Sequence, residues 1–303
     1  MSNTTALEAQ RQLLELKTHC ERLLKTAGVQ GVYPTPVDQI VEAAELIKSG
    51  DLALLEIPRE PFPGIWKKFK GSLVDLVSRV KAGLFPQERT IFINPKTHVA
   101  SVPFATLHEC CHYIFPWQRK IYTYLDDERT LDPQTRFIFE RQANVGASYL
   151  LWQGEAYVKE ALDMPITAAT PVSLAQRYGG SVHSSMRYYV EHHRESLILM
   201  VVKRSPPKAV PEPYKLQYTI TSPAFKSKFG TVRITASLSD NHVLLKRSSP
   251  LLTYWEGDIG VRVGGTIHPF RFFGYETPYN VFIILAPKNI VRSYGTAKVI
   301  LTA

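Results

Sequence analysis

The sequence predicts an α+β protein with several domains, and three observations carry this prediction. Apolar residues recur at helical spacing through much of residues 5–191. Short alternating runs separated by turn residues occupy residues 214–303, as expected of an antiparallel sheet. A proline-rich stretch at 205–213 separates the two regions and has the composition of a stiff linker. At 303 residues the chain is long enough for two or three domains with their own cores.

Net charge, cysteine content and the distribution of apolar residues restrict the partners and the cellular compartment expected for this protein. The formal net charge of +9 favours an acidic partner, with nucleic acid among the candidates. Cys20, Cys110 and Cys111 are too few and too unevenly placed for a disulfide framework, which favours a reducing compartment. We find neither a signal-peptide core nor a run of membrane-spanning length. The expected location is therefore the cytoplasm.

Residues 1–160 are predicted to form one domain of helices around a small sheet. Capping-box spacing from Thr5 to Glu8 and the apolar periodicity that follows predict a first helix ending near Gly28. The next expected elements are a helix opened by Thr35-Pro36, a strand at 52–57, a loop at 58–72, a helix at 73–80 and a strand at 90–94.

The pattern H-E-x-x-H at His108–His112 is the chemical centre of this domain. Residues four apart lie on one face of a helix, so two neutral imidazoles there can bind one metal ion. Glu109 would then stand beside a water on that metal and can accept its proton as a general base. Pro103 and Pro116 are expected at the start and just beyond the end of the motif helix. The alternative is an amphipathic helix with two incidental surface histidines.

A catalytic zinc site needs a third protein ligand and an open fourth position. Asp132-Pro133 has the form of an N-cap and first helical residue, and the helix that it opens carries Glu140 and Asn144 on one face. Glu140 is the predicted third ligand. The competing carboxylates are Asp126, Asp127 and Glu128, although an acidic run of this kind is typical of a solvated turn.

These motifs together resemble the ImmA/IrrE family of metallopeptidases. The resemblance rests on the strand ending at Asn94, on Phe104, on the motif at His108–His112 and on Glu140-Arg-Gln-Ala-Asn144, all within about residues 90–151. It implies a zincin-like domain with zinc bound by His108, His112 and Glu140, and Glu109 as catalytic base. Leu107 and Cys111 stand where the family usually has alanine and glycine. These departures affect the shape of the substrate groove.

The resemblance also implies a substrate and a regulatory role. Members of the family cleave helix-turn-helix repressor proteins and thereby induce DNA-damage and radiation-response genes. In the family's three-part arrangement, residues 214–303 would form a GAF-like sensor domain that receives a small molecule or another signal. The local sequence of that region predicts only a sheet, with runs at 216–220, 232–238, 243–246, 260–263, 281–285 and 297–301.

Residues 161–204 are predicted to form a helix-turn-helix module. Gly179-Gly180 separates two helical patterns, and the exposed candidates on the second are Ser181, His183, Ser184, Ser185 and Arg187. Arg187 is the one permanently charged cation from 182 to 191, whereas a DNA reader normally clusters several. Weak or absent DNA binding is therefore expected, and the module is predicted to join domains or to dock the substrate.

The sequence is compatible with two functions. The first is a cytoplasmic zinc endopeptidase that acts on a repressor protein. The second is a DNA-binding transcription regulator whose metal site is structural. For the first, we expect the strand at 90–94 to be an exposed sheet edge that pairs with an extended substrate through Phe92, Ile93 and Asn94.

Overall fold

The computed structural model describes residues 3–50, 81–124, 131–204, 214–230, 237–238, 243–245, 253–263 and 265–291. The chain divides into two compact units. The first comprises Met1–Tyr157 with Gln176–Ser181, and the second comprises Val158–Ala175 with Val182–Ala303. Both helices and strands occur in quantity, so the fold is α+β and multidomain, as predicted.

The first unit combines long helices with a small sheet. Its elements are α1 (Asn3–Thr26), α2 (Val37–Ala43), β1 (Ile47–Ser49), β2 (Ala82–Phe85), β3 (Thr90–Ile93), a 3-10 turn (Val99–Ser101), α3 (Val102–Ile114), α4 (Pro116–Tyr124), α5 (Pro133–Leu151) and the beginning of α6 (Glu155–Asp163). The first helix, the strand at 90–94, the motif helix and the helix opened by Asp132-Pro133 occur in the predicted order, whereas strands β1 and β2 were not predicted.

Helix α3 packs closely on α5, and α5 also packs on α1. Small residues make this possible, since Ala143 and Ala147 of α5 are fully buried. Gly146 lies still closer to α3, because a Cβ on it would stand 2.7 Å from both Cys111 Sγ and Phe115 Cζ. The two helices therefore approach each other closely.

The ends of these helices follow the predicted capping chemistry. The Asp132 carboxylate accepts hydrogen bonds from the backbone N–H groups of Gln134 and Thr135, at 3.0 and 3.1 Å. Helix α3 has Pro103 in its first turn and ends at Ile114, two residues before Pro116. Pro116 then becomes the first residue of α4, a helix that the sequence analysis does not predict.

The small sheet has the order β1-β3-β2, which corrects the prediction for residues 90–94. Strand β3 is parallel to β1 on one side and antiparallel to β2 on the other. Its four residues are all buried, as is Asn94. The prediction that this strand is an exposed edge is wrong, because both rows of its backbone hydrogen-bonding groups already pair with neighbouring strands. The Phe92–Asn94 segment therefore cannot add a substrate strand.

The second unit is built on an antiparallel sheet of six described strands in the order β6-β5-β4-β9-β8-β7. Its elements are the rest of α6, α7 (Ala169–Tyr178, ending in the first unit), α8 (Val182–His192), β4 (Ile198–Arg204), β5 (Tyr214–Thr221), α9 (Pro223–Phe229), β6 (Ser237–Leu238), β7 (Tyr254–Val263), β8 (Thr266–Glu276), β9 (Val281–Pro287) and a 3-10 turn (Lys288–Ile290).

Both faces of the central strands are covered. Ile198, Met200 and Ile283 belong to the core cluster that also contains Phe225 of α9. Helix α8 packs against β4 and β5. All seven residues of β9 are therefore buried, and its sequence is a continuous apolar run instead of an alternating one.

The predicted strands agree with this sheet in part. Runs 216–220, 260–263 and 281–285 lie in β5, β7 and β9. Residues 243–245 form a turn instead of the predicted strand, because Leu244 and Leu245 bury their side chains there and the Leu244 carbonyl accepts a hydrogen bond from Trp255 Nε1 at 2.8 Å. Strand β4 begins in a continuous apolar run at 197–202 that was not predicted as a strand, and β8 contains Pro269 and Gly274, which weaken its strand signal.

Several predictions lie outside the described residues. They are the elements at 52–80, the acidic run Asp126–Glu128, the linker at 205–213 and the strand at 297–301. The domain boundaries at 160, 204 and 213 stay predictions. None of the described helices combines the length and the apolar character needed to cross a membrane.

The predicted helix-turn-helix corresponds to α7 and α8, but two details of its surface differ. Ser185 is buried and donates a hydrogen bond to the Pro171 carbonyl at 2.6 Å, so it is not an exposed contact residue. His183 is half-buried, and its Nε2 is hydrogen-bonded to the Tyr218 hydroxyl of β5. Arg187 lies over the same tyrosine ring, 5.7 Å from its centre. One face of α8 is therefore occupied by the sheet.

Candidate metal centre

Three of the predicted site residues converge. His108, His112 and Glu140 each offer one ligand atom, and these atoms all lie within 4.8 Å of one another. The two Nε2 atoms are 3.0 Å apart. The Glu140 carboxylate lies 3.3 Å from His108 Nε2 and 3.6 Å from His112 Nε2. The side chains predicted to share an ion therefore point at one place.

Two different causes bring these groups together. The histidines are four residues apart on α3, so their rings project from one face, with centroids 4.7 Å apart. Glu140 is supplied by the second turn of α5, whose small residues allow it to lie close to α3. Local helix geometry sets the first pair, and helix packing sets the third ligand.

The arrangement fits a zinc ion. Ligands about 2.1 Å from a tetrahedral zinc lie about 3.4 Å from each other. The two Nε2 atoms are 3.0 Å apart, and each lies near a different oxygen of Glu140, His108 at 3.3 Å from Oε2 and His112 at 3.6 Å from Oε1. These separations are close to the value for zinc. Two imidazole nitrogens and a carboxylate oxygen are also a donor set that zinc accepts. The group can hold a metal ion without a large rearrangement.

Exposure varies across the group. The side chain of His112 is 6% exposed and that of His108 is 14% exposed, whereas that of Glu140 is 44% exposed. One side of the group therefore faces the interior and the other faces solvent. A fourth position on the solvent side would be open to water or to a substrate.

Electrostatics favour the metal-binding protonation state in two of the three groups, His112 and Glu140. Burial, together with the charge of His108, lowers the pKa of His112 to about 4. Burial alone would also lower the pKa of His108, but the hydrogen bond that His108 donates to Glu140 and the charges of Glu109 and Glu140 raise it overall. The hydrogen bond to His108 lowers the pKa of Glu140 despite its partial burial. A neutral His112 and an ionised Glu140 are the forms that bind metal.

Residues around the ligands complete the site. The Nδ1 atom of His112 is 2.7 Å from Gln118 Oε1, and Gln118 is fully buried. The Tyr122 ring meets the His112 ring edge-on at 5.2 Å. Both Gln118 and Tyr122 come from α4, a helix without a clear signal in the sequence, so neither residue was predicted. Phe104, named in the sequence analysis, lies one turn before His108 with ring centroids 6.4 Å apart.

The other predicted residues have different outcomes. Glu109 is partly buried on α3 next to His108 in sequence, and its charge contributes to raising the pKa of His108. Phe92, Ile93 and Asn94 are buried in or beside the central strand β3. Cys110 and Cys111 are also buried, and neither belongs to the metal-binding group found among the described residues.

Comparison with known proteins supports the fold. No model of a known protein family matches the chain, and no curated protein matches it. A solved structure of a Mycobacterium tuberculosis transcriptional regulator is similar, with a TM-score of 0.51 and 11% sequence identity. The match covers 89% of this chain and 75% of that chain. At this identity the likeness shows the fold alone.

Proposed function

We propose that this protein is a zinc-dependent endopeptidase that acts in the cytoplasm on a regulatory protein. The observation that carries the proposal is the convergence of His108, His112 and Glu140 on one place, with Glu109 beside them on the motif helix. A catalytic zinc site uses three protein ligands of this kind and leaves the fourth position open. We also propose that the protein is a member of the ImmA/IrrE family, with a zincin-like peptidase domain and a GAF-like sensor domain.

The roles of the residues follow from their chemistry. His108, His112 and Glu140 would hold the zinc. When bound there, zinc would supply the Lewis acidity that makes a water molecule more acidic and polarises the carbonyl of a peptide bond. Glu109 accepts the proton of the attacking water at its carboxylate and delivers it to the leaving amide nitrogen. Gln118 and Tyr122 restrict the orientation of the His112 ring.

A purely structural zinc site is the less favoured alternative. Structural sites are normally closed by four protein ligands, and thiolates are common among them. Cys110 and Cys111 lie next to the ligands in sequence, yet neither joins the group in the described part of the chain. Partial exposure of Glu140 also leaves room for a non-protein ligand. These observations favour catalysis.

The proposed substrate is a helix-turn-helix repressor, whose cleavage would induce DNA-damage and radiation-response genes. An extended substrate segment would have to pair with a strand other than β3. Strands β1 and β2 occupy the ends of the described sheet, and β2 lies against α3. We therefore transfer the proposed strand pairing from Phe92–Asn94 to β2. A signal received by the second unit stays a prediction.

The test is a search for new protein ends. The zinc-loaded protein is incubated with an extract of its own host cells from which its gene has been deleted, and new amino termini are labelled and identified by mass spectrometry. We expect a small set of new termini in a regulatory protein, and none after the metal has been removed with a chelator. A zinc-loaded protein that produces no new termini would argue against the peptidase.

A transcription regulator is the second candidate, because the similar solved structure is that of a transcriptional regulator. The two functions are compatible, because a peptidase that destroys a repressor regulates transcription without reading DNA. Direct DNA reading is disfavoured at α8. His183 and Arg187 contact Tyr218, and Arg187 also pairs with Glu191 at 3.1 Å. These contacts occupy the groups that would otherwise face a DNA groove.

We expect DNA binding to be weak, independent of sequence and steeply dependent on salt, with dissociation constants of about 10⁻⁴ to 10⁻⁶ M. Fluorescence anisotropy with random-sequence duplexes across a salt series measures this, and selection from a random pool tests for a preferred site. Arg187→Ala should behave like the control Arg194→Ala, an exposed residue beyond α8. A preferred site that persists at physiological salt and is lost only in Arg187→Ala would overturn the expectation.

A further inference from the structure

We propose that Gln118, Gln142 and Trp117 form a positioning network that fixes His112 in the tautomer able to bind metal through Nε2. This inference rests on the proposed metal centre and adds residues that do not touch the metal. The network joins α4 and α5 behind the buried ligand.

Four side chains are connected one after another in space by hydrogen-bonding contacts. His112 Nδ1 lies 2.7 Å from Gln118 Oε1, and Gln118 Nε2 lies 2.7 Å from Gln142 Oε1. Trp117 Nε1 donates to the same Gln142 oxygen at 2.9 Å. Gln118 is fully buried and His112 is 4% exposed, so water has little access to their contact.

The direction of every hydrogen bond in this chain is determined. An indole N–H can only donate, so the Gln142 atom facing Trp117 is its oxygen. The Gln118 atom facing that oxygen must then be the amide nitrogen. The same nitrogen also lies 3.4 Å from the Phe139 carbonyl, which can only accept. Gln118 therefore presents its oxygen to His112.

The consequence for His112 is a fixed tautomer. Gln118 Oε1 can only accept, so the proton of the neutral imidazole must be on Nδ1. The Nε2 lone pair then points at His108 and Glu140, where the metal would bind. Without the network, the proton could reside on Nε2 and block the ligand atom. A hydrogen bond of this kind is the usual support for a metal-binding histidine.

The alternative is that these residues only fill space between the helices. Gln118→Met separates the two possibilities, because methionine has the same unbranched shape but only a weak acceptor. Gln118→Glu, kept neutral by burial, retains a carbonyl oxygen toward Nδ1 and an O–H donor toward the Gln142 oxygen, which stays facing Trp117. Trp117→Phe keeps the ring stacked on Phe115 but removes the indole donor. Gln134→Met, at an exposed position of α5, is the matched control.

Zinc affinity is measured by competition with a chelator of known affinity. We expect Gln118→Met to bind zinc about 10- to 100-fold more weakly than wild type. Gln118→Glu should recover most of this loss, Trp117→Phe should lose less than Gln118→Met, and Gln134→Met should match wild type. Equal affinities for Gln118→Met and Gln134→Met would overturn the proposal.

Imidazole ¹⁵N spectra of the metal-free wild type give a second readout that does not depend on any variant folding. They should show His112 as the Nδ1–H tautomer at neutral pH, and Gln118→Met should weaken that preference. A dominant Nε2–H tautomer in wild type would overturn the inference. Tight zinc binding without proteolysis would remove the peptidase but leave the network. If the wild type were proteolytic and Gln118→Met bound zinc as tightly as wild type, the proposed peptidase would stand and the proposed network would be overturned.

Discussion

Replacing Glu109 with glutamine is expected to reduce proteolysis by about 10² to 10⁴ while zinc binding is retained. Glutamine has nearly the same size and shape as glutamate, but its amide cannot accept the proton of the attacking water. Glu109 is not one of the three convergent ligands, so the metal should remain. The variant therefore separates the chemical step from metal binding, which substitution of a ligand cannot do.

The measurement is the cleavage rate at the site found by terminus labelling, together with the zinc content of each protein. Glu42→Gln is the matched control, since Glu42 is exposed on α2 of the same unit. It should cleave at the wild-type rate. If Glu109→Gln were as active as Glu42→Gln, another group would have to serve as the base.

The residues that the sequence identified correctly are those whose placement depends on local geometry. His108 and His112 are brought together by helix periodicity, and Asp132 starts α5 by a capping interaction between neighbouring residues. Glu140 could be predicted because its helix has a clear start at Asp132-Pro133 and because Glu140 shares one face of that helix with Asn144. In each case the placement depends on residues of a single helix, either through its periodicity and capping or through the residues that share one of its faces.

The remaining features depend on contacts between distant residues. Strand β3 has the composition of any short strand, and only its pairing with both neighbours shows that it is central. Gln118 lies after a proline that correctly ended one helix but also began another. His183 was expected to be exposed because its packing partner, Tyr218, is 35 residues away. A pattern within one segment carries no information about such partners.

The close approach of α3 and α5 leads to a second prediction, that Gly146→Ala destabilises the first unit by about 1–3 kcal/mol. In an exposed helix this substitution would stabilise by about 0.5–1 kcal/mol, because glycine loses more backbone entropy on folding. At Gly146 the added Cβ would stand 2.7 Å from Cys111 Sγ and from Phe115 Cζ. Both neighbours are fully buried, so neither can move into solvent.

Amide hydrogen exchange in α3 and α5 measures the opening free energy of this region separately from that of the second unit. Gly83→Ala is the control, since a Cβ there would meet nothing within 4 Å. Zinc affinity should also fall in Gly146→Ala, because Cys111 immediately precedes His112 and any separation of the helices moves Glu140 away from both histidines. Unchanged exchange together with unchanged affinity would show that the contact at Gly146 neither limits stability nor sets the distance between the ligands.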